Sequence, residues 1–307
     1  FHWNKLNPQD LELALRYFEL AREKDPNYAL AYAGISSVWV GLQQQGELSS
    51  SEAGPKAKAA AMKALELDDT LAEVHSVLGG IKAWTDWDWE GADKAFRRAI
   101  ELNANYPDAR VGYSHLLFQV GRPEEAMAQI ERALELDPFN VHFRDLYAMG
   151  LNIARRYDEA IDMLSETLRT APNNLQVMST LRTSYHHKGM YEEALEIWKR
   201  YYATRGDQEA EEALARGEAE AGYSGALSRL AEMMIERSRT TFVTPWRIGT
   251  MYTRAGKNDE ALEWLEKAYE AHDPNMTYIN VDPIFDGLRD DPRFQDLLRR
   301  MNFPQEK

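Results

Sequence analysis

Ala92, Ala126, Ala160 and Ala194 stand 34 residues apart. The same step links Phe96, Ile130, Leu164 and Trp198, then Ala99, Ala133, Thr167 and Tyr201, then Pro138 and Pro172. A small, a large and a small residue at i, i+4 and i+7 form one face of a helix. Self-similarity at this step means one supersecondary unit copied along the chain, each copy too small to bury its apolar face alone. Copies must therefore stack. The pattern predicts an all-α fold, a right-handed α-solenoid of helix-turn-helix repeats closed by a C-terminal capping helix, and it points to binding rather than catalysis.

The best-formed unit runs from Pro107 to Asn140. Its first helix carries Tyr113 and Leu117 inward and stops at Gly121, a residue suited to a left-handed cap. Pro123-Glu124-Glu125 opens the second helix, with Pro where no amide is needed and acids near the positive helix end. Ala126, Ile130 and Ala133 form its inner stripe, and Asp137-Pro138 ends it, since the residue before Pro avoids the helical region. The units from Val141 to Asn174 and from Leu175 to Gln208 repeat the scheme, so the regular repeats cover 107–208. Upstream, Ala57 to Ala92 is 35 residues, placing one extra residue near Trp84–Trp89, and Ala14 to Ala57 is 43, placing an enlarged turn at about 41–55. Pro8 to Lys24 reads as the second helix of a truncated first repeat. Downstream, 209–240 reads as a degenerate repeat whose second helix begins at Gly222. The array is thus expected over 1–240, with a final repeat and a cap over 241–307. Asp282-Pro283, Asp291-Pro292 and Phe303-Pro304 bracket one short turn and one terminal helix.

Fifty Asp and Glu against 36 Lys and Arg give a net charge of −14. That field repels phosphate backbones and anionic lipid, which argues against binding nucleic acid or membrane through it. No cysteine is present, which removes disulfides, thiolate metal sites and Cys nucleophiles and leaves the compartment open. No run of about 18 apolar residues exists to span a bilayer. Motif-like fragments fail on detail. Asp86–Gly91 begins like a calcium loop, but Arg97 holds the position where a bidentate Glu is needed. Gly249 to Gly256-Lys257 has the wrong gap for a phosphate loop, and Asn258 replaces the magnesium-binding hydroxyl. Gly222-Tyr223-Ser224-Gly225 lacks the spacing and the strand of a nucleophile elbow. His186 and His187 are adjacent on a helix and point about 100° apart, so they do not chelate as a pair. Trp84, Trp87 and Trp89 read as packing of a turn or as an apolar anchor for a peptide. No catalytic residue, cofactor or metal is expected.

A 34-residue helical period is the signature of the tetratricopeptide repeat. Trp87-Asp88-Trp89-Glu90-Gly91-Ala92 with Phe96–Asn103, Asp25–Gly34 and, most specifically, Asp282–Phe294 resemble the C-terminal tetratricopeptide region of multidomain bacterial signalling proteins. In that group this region follows a winged-helix DNA-binding, cyclase or kinase domain, often with a TolB-like segment between. The resemblance implies a regulatory or assembly module belonging to a longer polypeptide, and it supplies no catalytic residues. Ala104 and Gly206 depart from the usual repeat-ending Pro.

In such arrays the first helix of each hairpin lines the concave face. The unpacked positions of the regular repeats put His115, Phe118, Met149, Asn152, Thr183, His186 and His187 forward as contacts for a protein or peptide partner. Phe118, Asn152 and His186 form one row. The mix is apolar and hydrogen-bonding with little fixed charge, and the Lys/Arg/Asn set by which some tetratricopeptide modules clamp a C-terminal carboxylate is missing from it. An extended or amphipathic segment held by amides and apolar pockets fits these rows better. Alternatives are a spacer, homo-oligomerisation through Phe1, His2 and Trp3, and an enzyme with a cryptic site.

Overall fold

The computed structural model describes residues 8–304. Every regular element among them is helical. The seats near Phe1, His2 and Trp3 lie outside the described residues. Two compact units share the chain. The first holds the described residues up to Phe139, then Ala271–Asn280 and the last residues from Met301. The second holds Asn140–Glu270 and Val281–Arg300.

The first unit contains α1 (Pro8–Lys24), α2 (Ala29–Gln44), α3 (Ser50–Leu67), α4 (Ala72–Gly80), α5 (Trp89–Leu102), α6 (Pro107–Gln119) and α7 (Pro123–Leu136). Sequential helices pack as hairpins, and the first helices α2, α4 and α6 also pack on one another. The second unit contains α8 (Val141–Ile153), α9 (Tyr157–Thr170), α10 (Leu175–His187), α11 (Tyr191–Arg205), α12 (Gln208–Arg237), α13 (Pro245–Arg254), α14 (Asn258–Glu270) and α15 (Pro292–Met301), whose last residue is assigned to the first unit. Here α8 packs on α9 and α10, α10 on α11, and α13 on α14. The core follows the period. Ala92, Ala126, Ala160, Ala194 and Ala261 are all 0% exposed, with Ile130 and Leu164 equally enclosed one turn on. Alanine sits there because two helices approach closely over it.

Local chemistry sets the helix ends. Asn140 Oδ1 accepts from the amides of His142 (3.1 Å) and Phe143 (3.3 Å), and Asn174 Oδ1 accepts from Val177 at 3.0 Å. These side chains satisfy amides that the first helical turn leaves open. The turn inside each hairpin closes by one recurrent bond: Arg122 N to Leu117 O (2.8 Å), Arg156 N to Leu151 O (2.8 Å), Met190 N to Tyr185 O (2.9 Å) and Lys257 N to Tyr252 O (2.9 Å). This six-to-one bond is the Schellman closure.

Three departures from the periodic scheme have physical reasons. The extra residue near Trp84–Trp89 is absorbed as a π-helical turn, Ile81–Thr85, which continues α4. One inserted residue in a helix has this form. The turn expected at about 41–55 is confined to 45–49, because α2 runs to Gln44 and α3 starts at Ser50 and extends for 18 residues. The added residues lengthen helix, with the Ser49 side chain capping α3 through the Glu52 amide at 3.3 Å. In the tail, one expected turn is two: 3₁₀ turns at Pro274–Tyr278 and Pro283–Leu288 precede α15. Asp273, Asp282 and Asp291 each accept from the amide two residues on, at 3.0, 3.0 and 2.8 Å, and each precedes a Pro. Downstream of α11, α12 is two helices merged across non-helical Ala221 and Gly222.

Candidate functional site

In both units an irregular segment from the chain's own tail lies against the hairpins. In the first unit Ala271–Asn280 lies against α2, α6 and the π-turn. Ser50 Oγ donates to the His272 carbonyl at 2.7 Å, and Asn275 Nδ2 donates to the Gln44 carbonyl at 3.1 Å. The His272 ring stacks on Trp87 at 3.7 Å. Met276, Thr277 and Ile279 are buried. Tyr278 places its hydroxyl on His115 Nδ1. Trp89, from the same aromatic cluster, donates Nε1 to the Met301 carbonyl at 3.2 Å and stacks on Phe303 at 4.9 Å. The tryptophan cluster is therefore the seat of the chain's own tail.

In the second unit Val281–Leu288 meets the ends of α8, α10 and α13. His187 Nε2 stands 3.5 Å from Asp282 Oδ1, and Arg155 reaches Asp286 at 2.7 Å. Burial pushes the Asp282 carboxyl up, but the bond to His187, the charges of His187 and Arg254 and the Ile284 amide outweigh it and hold the carboxyl below its ordinary range. Phe285 packs on Trp246 (5.4 Å) and Phe294 (5.6 Å).

The seven expected contact residues divide accordingly. His115 and His187 touch the tail. Phe118 is 1% exposed and Asn152 3%, so neither offers surface to an outside ligand in this structure. The reason is register: their row faces inward, and the Asn152 amide is buried without a hydrogen-bond partner among the described residues. Met149 is half-buried. Thr183 accepts from Arg254 Nη2 at 3.2 Å. His186 packs on Tyr223, with Nδ1 3.1 Å from its hydroxyl, and burial together with the charge of Arg254 brings the imidazole down to about 3. The rows are also less neutral than expected. Arg182 of α10 and Arg247 and Arg254 of α13 lie near enough for their charges to act on one another, a grouping that the 34-residue period does not reveal. No helix among the described residues is long and apolar enough to cross a membrane.

Comparison with known proteins agrees with this architecture. Residues 86–150 and 247–272 each match a tetratricopeptide repeat family model. The chain is similar to the transcriptional regulator HilA of Salmonella typhimurium, 29% identical over 135 residues that make up 44% of this chain and 24% of HilA. It is also similar to Superkiller protein 3 of Schizosaccharomyces pombe, 24% identical over 275 residues, 87% of this chain and 17% of that protein. The aligned part thus spans a quarter or less of either relative. In structure it resembles human IFIT1, solved as a dimer with PPP-AAAA, at a TM-score of 0.57 and 16% identity, covering 86% of this chain and 69% of that one. That last likeness is one of fold.

Proposed function

We propose that this chain, built of tetratricopeptide repeats, is a non-catalytic protein–protein interaction module within a larger bacterial regulator. One observation carries the reading: in both units the helical hairpins hold a Pro-containing, non-helical segment through polar contacts. Ser50, the Gln44 carbonyl and His115 do so in the first unit, and His187 and Arg155 in the second. A surface that holds such a segment in cis has the chemistry to hold one in trans, with backbone groups giving affinity and pockets for alternate side chains giving specificity. The alignment with HilA supports the regulatory setting.

The test is exchange. A protease site inserted after Ala271 allows the folded protein to be nicked, and a labelled peptide of residues 272–304 is then added in excess. We expect the label to enter the nicked protein and not the intact one. A nicked protein that keeps its own segment and excludes the label would make this surface a closed core, and the module would then have to bind elsewhere.

A further inference from the structure

Arg182 of α10 lays its guanidinium 3.5 Å from the ring centre of Trp198 and 4.5 Å from that of Tyr201, both on α11. Its Nη2 donates to Ser179 Oγ at 2.9 Å, while Nη1 has no hydrogen-bond partner among the described residues. Arg254 of α13 donates to the Thr250 carbonyl at 3.3 Å and to Thr183 Oγ1 at 3.2 Å, while its Nε has no hydrogen-bond partner among the described residues. Arg247 lies two turns before Arg254 on the same helix. Each of the three arginines is partly exposed as a residue, while Nη1 of Arg182 and Nε of Arg254 are themselves buried. Among the described residues no carboxylate comes within 4.0 Å of Arg182 or Arg254. The acid that senses this group, Asp282, also faces His187 at 3.5 Å.

The potential here is positive in a chain that is acidic overall. Burial drives the Arg182 guanidinium down to about 10; Tyr201 and Tyr202 oppose that, and Arg254 and Arg247 add to it. Burial drives the Tyr201 phenol up, yet Arg247, Arg182 and Arg205 outweigh burial and leave it below its ordinary range. A fold with 50 acidic side chains has brought guanidinium groups together with no carboxylate within 4.0 Å of Arg182 or Arg254 among the described residues, although the Asp282 carboxyl senses the charge of Arg254. Like charges held this way raise the energy of the empty site, and an incoming anion recovers that energy.

We propose that Arg182, Arg247 and Arg254 form a binding site for a phosphoryl group. A single carboxylate brings one charge and two oxygens and leaves the cluster short of both. A phosphoryl dianion brings about two charges and three acceptor oxygens, matched to planar guanidinium forks. The net charge of −14 works against a polyanion such as a nucleic-acid strand but not against one compact group seated locally. The group is either free phosphate or a phosphorylated side chain of a protein partner; the chemistry recognised is the same.

The experiment titrates the intact chain with inorganic phosphate, acetate and chloride at matched ionic strength, by calorimetry and by thermal shift. Saturable binding and a raised melting temperature are expected with phosphate alone. Arg254→Gln and Arg247→Gln should each weaken phosphate binding roughly 10- to 100-fold, the change that one charge-assisted hydrogen bond carries. Arg182 is left intact because its stacking on Trp198 makes it part of the packing. A phosphoserine peptide that binds more tightly than phosphate, with its unphosphorylated form inert, assigns the source to a protein. Equal binding of free phosphate and peptide assigns it to the free anion. The proposal is overturned by an equal response to acetate, by no response to phosphate, or by variants that bind phosphate as the parent does. Because the probe is phosphate, these outcomes are independent of whether the tail exchanges.

Discussion

Gly121, Arg155 and Gly189 occupy one register position, 34 residues apart, and their φ angles are 77°, 60° and 78°. Each closes a hairpin in the left-handed region, where a Cβ costs about 1–2 kcal/mol. At Gly189 an added Cβ would meet nothing within 4 Å, so only backbone strain is at stake. Gly189→Ala is expected to destabilise the protein by about 1–2 kcal/mol in urea unfolding; an unchanged midpoint would mean that the corner is not held left-handed. Arg155 sits there with a side chain and regains part of that strain through Asp286. Such corners are legible in the sequence because they depend on one residue and its neighbours. Asp145 is different. It is buried in α8, where desolvation lifts its carboxyl to about 7 while the polar side chains of Thr180 and Gln176 on α10 pull the other way. The folded state therefore binds more protons than the unfolded one between about pH 4 and 7, and this group's contribution to stability falls as pH rises through that window. Asp145→Asn should flatten that part of the pH profile and stabilise the protein at pH 8 by on the order of 2–4 kcal/mol, with little gain at pH 4. Parallel melting curves for parent and variant from pH 4 to 8 would refute the assignment. Nothing in the sequence marks Asp145 as buried, because its polar partners lie one repeat away.

At the scale of elements, the hairpins from 107 to 208 are readable because each stop is local: an Asn cap, an acidic first turn, a left-handed corner or an Asp-Pro. The irregular joints are less so. A π-turn and a lengthened α3 both hide as spacing errors, since one extra residue says nothing about whether it enters a loop or a helix. The kink inside α12 was visible as Gly222, but the crossing of its two halves was not. Gly217 and Gly225 meet there, and a Cβ on Gly217 would fall well inside contact distance of the Gly225 carbonyl oxygen, a backbone atom with no rotamer to yield. Gly217→Ala should therefore cost about 3 kcal/mol or more, at the upper end of overpacking effects. Gly287→Ala is the control, because an added Cβ there meets nothing within 4 Å and φ is not positive. Its effect should stay within about 0.5 kcal/mol. Equal effects from the two substitutions would remove the close crossing.

For the whole molecule, the decisive stretch is the one after α14. Asp273-Pro274, Asp282-Pro283 and Asp291-Pro292 recur nine residues apart, so the tail has its own short period, too brief to register beside one of 34. The sequence marks two of these three pairs as turn signals, but not where they dock, because a repeat pattern reports contacts between neighbours and the tail returns to helices as far as 231 residues away. Its first part buries Met276 and Ile279 in one unit, and its second part buries Phe285, Leu288, Phe294 and Leu297 in the other. Each such side chain contributes about 1.5–3 kcal/mol when fully withdrawn from water. A chain ending at Glu270 should thus lose stability in both units at once, with calorimetric transitions lowered by more than about 10 °C and new binding of a hydrophobic dye. If only one transition moved, the tail would be a cap for that unit alone. If neither moved, the segment would be a passenger on the repeat surface, and the docking chemistry inferred from its grip on His115, Trp89 and His187 would lose its support.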